Sequence, residues 1–124
     1  MLMDFETGKV IDRIPHPENL ELVDRMTNDE SQAINNELNA MINRDLEAGS
    51  DIQTAGWMPG SDWTGTPFEA IYETAARRNT DVAALVFGFM VWMVFRERED
   101  DWYTGRFEKD GEPLSSRTYF RARD

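Results

Sequence analysis

Few side chains in this chain are of types that could carry out covalent or metal chemistry. His16 is the only histidine, it lies between Pro15 and Pro17, and cysteine is absent. A histidine held between two prolines favours an exposed turn residue over a catalytic base. Without cysteine or a second histidine, a transition-metal site would have to use carboxylates alone. The sequence therefore predicts no catalytic residues, no metal site and no cofactor.

A loop between residues 50 and 66, here called the Trp loop, carries the first set of side chains suited to binding. It contains three glycines, one proline and two tryptophans. Aromatic surface beside short polar groups is typical of a small-ligand pocket or an interface hot spot. The alternative is that both tryptophans pack as lids on the core, as large aromatics usually do. The candidate binding residues of this loop are Trp57, Asp62, Trp63 and Thr64.

The second set of candidate binding residues lies on a predicted C-terminal hairpin. Asp110–Gly111 is a strong two-residue turn signal, and such a turn pairs Lys109 with Glu112. Continuing that register pairs Tyr103 with Thr118 and Trp102 with Tyr119. Side chains then alternate between two faces. The face expected to meet the core carries Tyr103, Gly105, Phe107, Leu114, Thr118 and Phe120.

The other face of this hairpin combines aromatic rings with arginines. Its candidate binding residues are Trp102, Arg106, Arg117 and Tyr119. Aromatic rings beside guanidinium groups can hold phosphates, acidic peptides or single-stranded nucleic acid. The alternative is that these arginines pair with the protein's own carboxylates, as surface charges commonly do.

The elements that must position these residues are organised around residues 82–95, VAALVFGFMVWMVF, which are all apolar or glycine. The run is shorter than the roughly 18 residues that span a bilayer, so it predicts a buried helix and no membrane segment. A helix that is apolar on all sides must be covered on all sides. Ala84 and Gly88 lie four residues apart and are expected to face a closely packed neighbouring helix.

Three further helices are predicted before this central helix. Pro17 can open a short first helix. Thr27 and Glu30 have the spacing of a capping box and begin a second, amphipathic helix that ends near Gly49. With an expected strand within residues 4–14, the predicted fold class is α+β, with about four helices around residues 82–95 and a C-terminal hairpin.

The third helix is predicted to begin at Thr66, with Pro67 in the first helical position. Glu69 has the spacing to close a second capping box with Thr66. Within this helix Glu73 is expected to pair with Arg77, four residues later.

Composition limits the classes of function. The 124 residues carry 13 basic and 24 acidic side chains, for a net charge of −11. This charge disfavours direct nucleic-acid binding. The length of the chain fits one domain over residues 1–124. The N-terminal segment MLMDFETGKV lacks the positive charge and apolar run of a signal peptide, and cysteine is absent, so we expect a cytoplasmic protein.

The leading functional hypothesis is a non-enzymatic acidic interaction protein, of the kind that a mobile element or accessory gene encodes, which binds a protein partner. The alternatives are a small-ligand-binding protein or small enzyme that uses the Trp57–Trp63 loop, and a DNA-mimicking inhibitor. The chain offers few elements to cover its central helix, so a homodimer is also expected. The expected interface draws on Phe89, Met90, Met93 or Trp57.

Overall fold

The structure combines helices with short strands, which confirms the α+β class. The computed structural model describes residues 1–11, 14, 17–50, 52–54, 63–105, 108–109, 112–113 and 118–122. Its helices are α1 (Asn19–Val23), α2 (Asn28–Glu47), a π-helix (Ile71–Ala75) and α3 (Thr80–Glu97). Its strands are β1 (Leu2–Asp4), β2 (Ile52–Thr54), β3 (Trp102–Gly105), β4 (Glu108–Lys109), β5 (Glu112–Pro113) and β6 (Thr118–Arg121).

Helix α3 is the predicted central helix. Asn79 is its N-cap, and the Asn79 side-chain Oδ1 accepts a hydrogen bond from the Val82 backbone nitrogen at 3.1 Å. Thr80 is the first helical residue. Helices α1 and α2, the π-helix and β1 all contact α3. Its buried residues are Ala83, Val86, Phe87, Phe89, Met90, Val91, Trp92, Val94 and Phe95.

The described residues leave one side of α3 uncovered in its first three turns. Ala84 is exposed, the Leu85 side chain is 59% exposed, and a Cβ placed on Gly88 would meet no described atom within 4 Å. The prediction that Ala84 and Gly88 face a neighbouring helix is therefore wrong. The elements that cover this part of α3 lie on its opposite side, where Ala83 and Val86 are buried.

Helix α2 confirms the first capping box. The Thr27 hydroxyl accepts a hydrogen bond from the Glu30 backbone nitrogen at 3.1 Å, and the Glu30 carboxylate accepts one from the Thr27 backbone nitrogen at 2.9 Å. Two of the helix's first free N–H groups are satisfied in this way. The apolar stripe of α2 then packs into the core through Ile34, Leu38 and Ile42, which are fully buried.

The predicted third helix is replaced by a turn and the π-helix. The Glu69 carboxylate accepts a hydrogen bond from the Gly65 backbone nitrogen at 2.7 Å, one residue before the expected partner, Thr66. The predicted second capping box is therefore wrong. The Ala76 nitrogen donates to the Ile71 oxygen at 2.8 Å, which closes a turn one residue wider than an α-helical turn.

The wider turn also changes the expected ion pair. Glu73 pairs with Arg78 at 2.8 Å and not with Arg77, because five residues bring two side chains together in this geometry. The chain then leaves the π-helix through two left-handed residues, Arg77 at φ 51° and Arg78 at φ 65°. The Arg78 nitrogen donates to the Tyr72 oxygen at 2.7 Å, which closes the C-terminal end of the turn.

Within the described residues, four strands form one sheet in the order β1-β3-β6-β2, and β4 pairs with β5 separately. Strand β1 is parallel to β3, and the other neighbours are antiparallel. The expected N-terminal strand thus lies at Leu2–Asp4, earlier than most of the predicted range. Val10 returns to β1 as a single antiparallel bridge opposite Met3.

The predicted hairpin register holds near the turn and fails beyond it. Lys109 pairs with Glu112 as expected. Tyr103 lies opposite Phe120, and Trp102 lies opposite Arg121, so both pairings are two residues from the prediction. Two residues separate β3 from β4 whereas four separate β5 from β6, which produces this offset. The turn at Asp110–Gly111, together with Phe107 and Leu114, lies outside the described residues.

The left-handed turn after the π-helix yields a test of stability. Replacing Arg77 with glycine should raise the free energy of unfolding by about 0.5–1 kcal/mol, because glycine adopts positive φ without a Cβ clash. Urea denaturation with an unchanged m-value measures this.

The matched control is Arg44→Gly in the last turn of α2, which should lower the free energy of unfolding by about 1 kcal/mol. If Arg77→Gly is destabilised as much as Arg44→Gly, the left-handed conformation does not strain Arg77.

Candidate interaction surface

The sheet face that meets the helices is the one predicted to face solvent. Trp102 is 0% exposed and Tyr119 is 1% exposed. The Phe95 ring of α3 lies 4.7 Å from the Trp102 ring and is stacked 4.2 Å from the Tyr119 ring, centroid to centroid. Leu2 and Thr104 are buried on the same face. The prediction that Trp102 and Tyr119 form an exposed binding surface is therefore wrong.

The physical reason is that alternation decides which residues share a face and not which face turns inward. Both faces of this hairpin carry aromatic rings, so the arginines Arg106 and Arg117 alone favour solvent for one face. Arg121 is opposite Trp102 on the inner face and is exposed near the end of β6. A charge at a strand end can reach water although its neighbours along the strand are buried.

A polar cluster holds Trp102 in place. The Trp102 indole N–H donates to Asp100 Oδ1 at 2.8 Å. Arg98 donates to the same carboxylate twice, from Nε and Nη2, at 2.9 Å each. Its remaining donors reach the side-chain oxygens of Asn39 at 2.9 Å and Asn43 at 2.8 Å. The cluster links α2, the end of α3 and β3, and these charged groups act as structural contacts.

The acidity of Asp100 reflects this cluster. Burial by itself raises the pKa of a carboxyl group. At Asp100 burial is outweighed by the hydrogen bonds from Arg98 and Trp102 and by the positive charges of Arg98 and Arg121, so its pKa is below the usual value. The carboxylate form is therefore stabilised in the folded protein.

Of the Trp loop, residue 50, strand β2 at residues 52–54 and residues 63–66 are described. Trp63 is half-buried, and its ring centroid lies 5.3 Å from that of Phe87 and 6.2 Å from that of Phe68. Thr64 is exposed in the following turn. These contacts match the interpretation of Trp63 as a lid on the core. The candidate residues Trp57, Asp62, Arg106 and Arg117, and the single histidine, His16, lie outside the described residues.

The opposite face of the sheet carries a continuous apolar row, here called the outer band. Backbone register aligns its members across the bridge residue and all four strands: Val10, Met3, Tyr103, Phe120 and Ile52. Phe5 adds an aromatic ring beside the row, 5.0 Å from Phe120 and 6.4 Å from Tyr103 between centroids. Ile52 is 57% exposed, Val10 is 52% exposed and Phe5 is 50% exposed.

The outer band is suited to binding and not to bond making. No side chain in it is charged, whereas the outward face of an antiparallel sheet ordinarily alternates to polar residues. Contiguous exposed apolar surface on a small protein is typical of an interaction site. At about 4.8 Å between neighbouring strands, the row extends roughly 19 Å. The alternation that puts Tyr103 and Phe120 on one face indicates this apolar surface in the sequence, but it predicts that the surface meets the core.

No protein-family model, curated protein or solved structure matches this chain. In the described ranges, no three His, Asp or Glu side chains come together as metal ligands would. No described helix is long and apolar enough to cross a membrane.

The Asp100 cluster predicts a pH-dependent stability. Asp100→Asn removes the charge that binds Arg98 and should lower the free energy of unfolding by about 2 kcal/mol near pH 7. Because the folded pKa is lowered, the stabilisation is complete above the unfolded pKa of about 3.9 and is lost as pH falls through the lower folded pKa. Denaturation of both proteins across the acidic range measures the difference.

The control is Asp24→Asn, which changes an exposed carboxylate and should alter the free energy of unfolding by less than about 0.5 kcal/mol. A stability difference between wild type and Asp100→Asn that stays constant down to pH 2 (about two pH units below the unfolded pKa) would contradict the assignment.

Proposed function

We propose that this chain is a non-enzymatic interaction protein that binds protein through the outer band. The observation that carries the proposal is the uncharged row across the whole sheet, with Ile52 and Val10 more than half exposed at its two ends. Apolar surface removed from water stabilises a complex by about 25 cal/mol per Å². We also propose that the protein acts in the cytoplasm.

The charge of the chain supports an interface at this location. The net charge of −11 leaves carboxylates over much of the surface, and desolvating them in a contact is costly. The outer band avoids that cost because its side chains carry no charge. A contact centred on the band, with charged groups at its rim, has the arrangement found in specific protein interfaces.

We propose a second copy of this chain as the occupant of the outer band. The dimer interface expected around the central helix cannot use Phe89 and Met90, since both are buried within one chain at 7% and 4% exposure. Met93 is half-buried, and Trp57 lies outside the described residues. The outer band supplies the apolar surface that a symmetric contact needs, and it lies elsewhere on the molecule.

The order of strands suits a twofold contact. Strands β3 and β6 lie at the centre of the sheet, so an axis between them brings Tyr103 of one copy towards Phe120 of the other. The same axis brings Ile52 of one copy towards the end of the band that carries Val10 of the other. Two sheets packed face to face about 10 Å apart would bury both bands.

Substitution at the ends of the band tests the dimer. The double variant Val10→Lys, Ile52→Lys should raise the dimer dissociation constant by tenfold or more, because each lost apolar contact removes about 1.5–3 kcal/mol. Sedimentation equilibrium at moderate salt should show wild type near twice the 14.4 kDa chain mass and the variant closer to one chain.

The matched control is Leu85→Lys, which changes an equally exposed apolar side chain on α3, away from the band. It should leave the dimer intact. A wild-type mass of 14.4 kDa at all concentrations contradicts the dimer. A photo-crosslinking residue at position 52 that gives no more protein adducts in expressing cells than one at position 85 contradicts protein binding by the band altogether.

A further inference from the structure

Three arginines lie near the C-terminal end of the π-helix, here called the arginine corner: Arg25, Arg77 and Arg78. The Arg25 guanidinium donates from Nη1 to the Ala75 backbone oxygen at 2.9 Å, which brings it to the residues that precede Arg77. Arg77 and Arg78 follow two and three residues later, and all three side chains are exposed. The corner is separate from the outer band.

The local charge of this segment is opposite to that of the chain. Residues 70–80 contain two arginines and one glutamate, and Arg25 joins them from α1's C-terminal side. The Arg78 Nε donates a hydrogen bond to the Glu73 carboxylate at 2.8 Å. Arg77 forms no ion pair with a described carboxylate. The corner therefore already holds one oxyanion and retains guanidinium donors that face solvent.

The backbone of the corner is the second observation. Arg77 and Arg78 both have positive φ, a conformation in which a residue with a Cβ is strained and glycine is favoured. Arg77 and Arg78 are consecutive in the chain, and both occupy positions where glycine would be more stable. Strain retained at a site points to a role of the strained side chains.

We propose that the arginine corner binds a phosphate dianion, either free or as a phosphomonoester. Guanidinium groups present paired N–H donors that match the oxygens of phosphate, and three of them can neutralise a dianion. The net charge of −11 opposes anion binding, but exposed charges beyond about 8 Å are largely screened at physiological salt. The nearest charges therefore decide, and these are Arg25, Arg77 and Arg78 against Glu73 and Asp24, the residue before Arg25.

The test uses nuclear magnetic resonance of the whole chain, following the arginine side-chain N–H signals. Inorganic phosphate and phosphoserine are titrated separately, at low and at physiological salt. Wild type should show saturable shifts at Arg77 and Arg78. Arg77→Gln should bind about tenfold more weakly, the equivalent of losing one hydrogen bond to a charged group. Glu73→Gln should bind more tightly, because the competing carboxylate is removed.

The matched control is Arg44→Gln, which changes another exposed arginine that pairs with a glutamate, Glu37, at 3.4 Å. Its phosphate affinity should equal that of wild type. Arg77→Gly supplies a further arm, since it should bind phosphate more weakly although the protein is more stable, so weaker binding would not reflect unfolding.

Two outcomes overturn the proposal: no saturable shift in wild type at millimolar phosphate, or equal affinities for Arg77→Gln and Arg44→Gln. Tighter binding of phosphoserine than of phosphate identifies a phosphomonoester as the ligand, and equal binding identifies free phosphate. Neither result depends on the outer band, so failure here leaves the proposed protein interface standing.

Discussion

The structure depends on burying the apolar surface of α3, and one contact joins that helix to the sheet. The Phe95 ring stacks on Tyr119 and meets the edge of Trp102, so three large rings share one site. All three are fully or almost fully buried. Aromatic contacts of this kind add to the free energy of area burial. The inner face of β3 and β6 is thereby fixed, and the orientation of the whole sheet follows.

The polar residues beside that contact allow the chain to turn without leaving buried charge unpaired. Arg98 follows α3, and its guanidinium donates four hydrogen bonds, to Asp100 and to two asparagines of α2. A buried guanidinium without a carboxylate would be strongly destabilising. Trp102 joins the same carboxylate through its indole nitrogen. Packing and electrostatics therefore select the same arrangement of helix end and first central strand.

One consequence is that the sheet has two apolar faces, of which the described helices cover one. Helix α3 covers the face with Trp102 and Tyr119, which leaves Tyr103, Phe120 and Ile52 on the other. The packing of α3 on the inner face of the sheet therefore places the outer band on the side away from α3. The proposed interaction uses this band.

Sequence by itself determined the elements whose signals are local. The capping box of Thr27 and Glu30 and the apolar run of α3 depend on neighbouring residues only, and both were predicted at nearly the correct positions. The π-helix, the two-residue offset between the ladders and the inward face of the sheet were decided by tertiary structure. The inward face depends on contacts between residues distant in sequence, such as Phe95 with Tyr119. Alternation assigned Tyr103 and Phe120 to one face correctly, but only the packing of α3 determined that this face points outward.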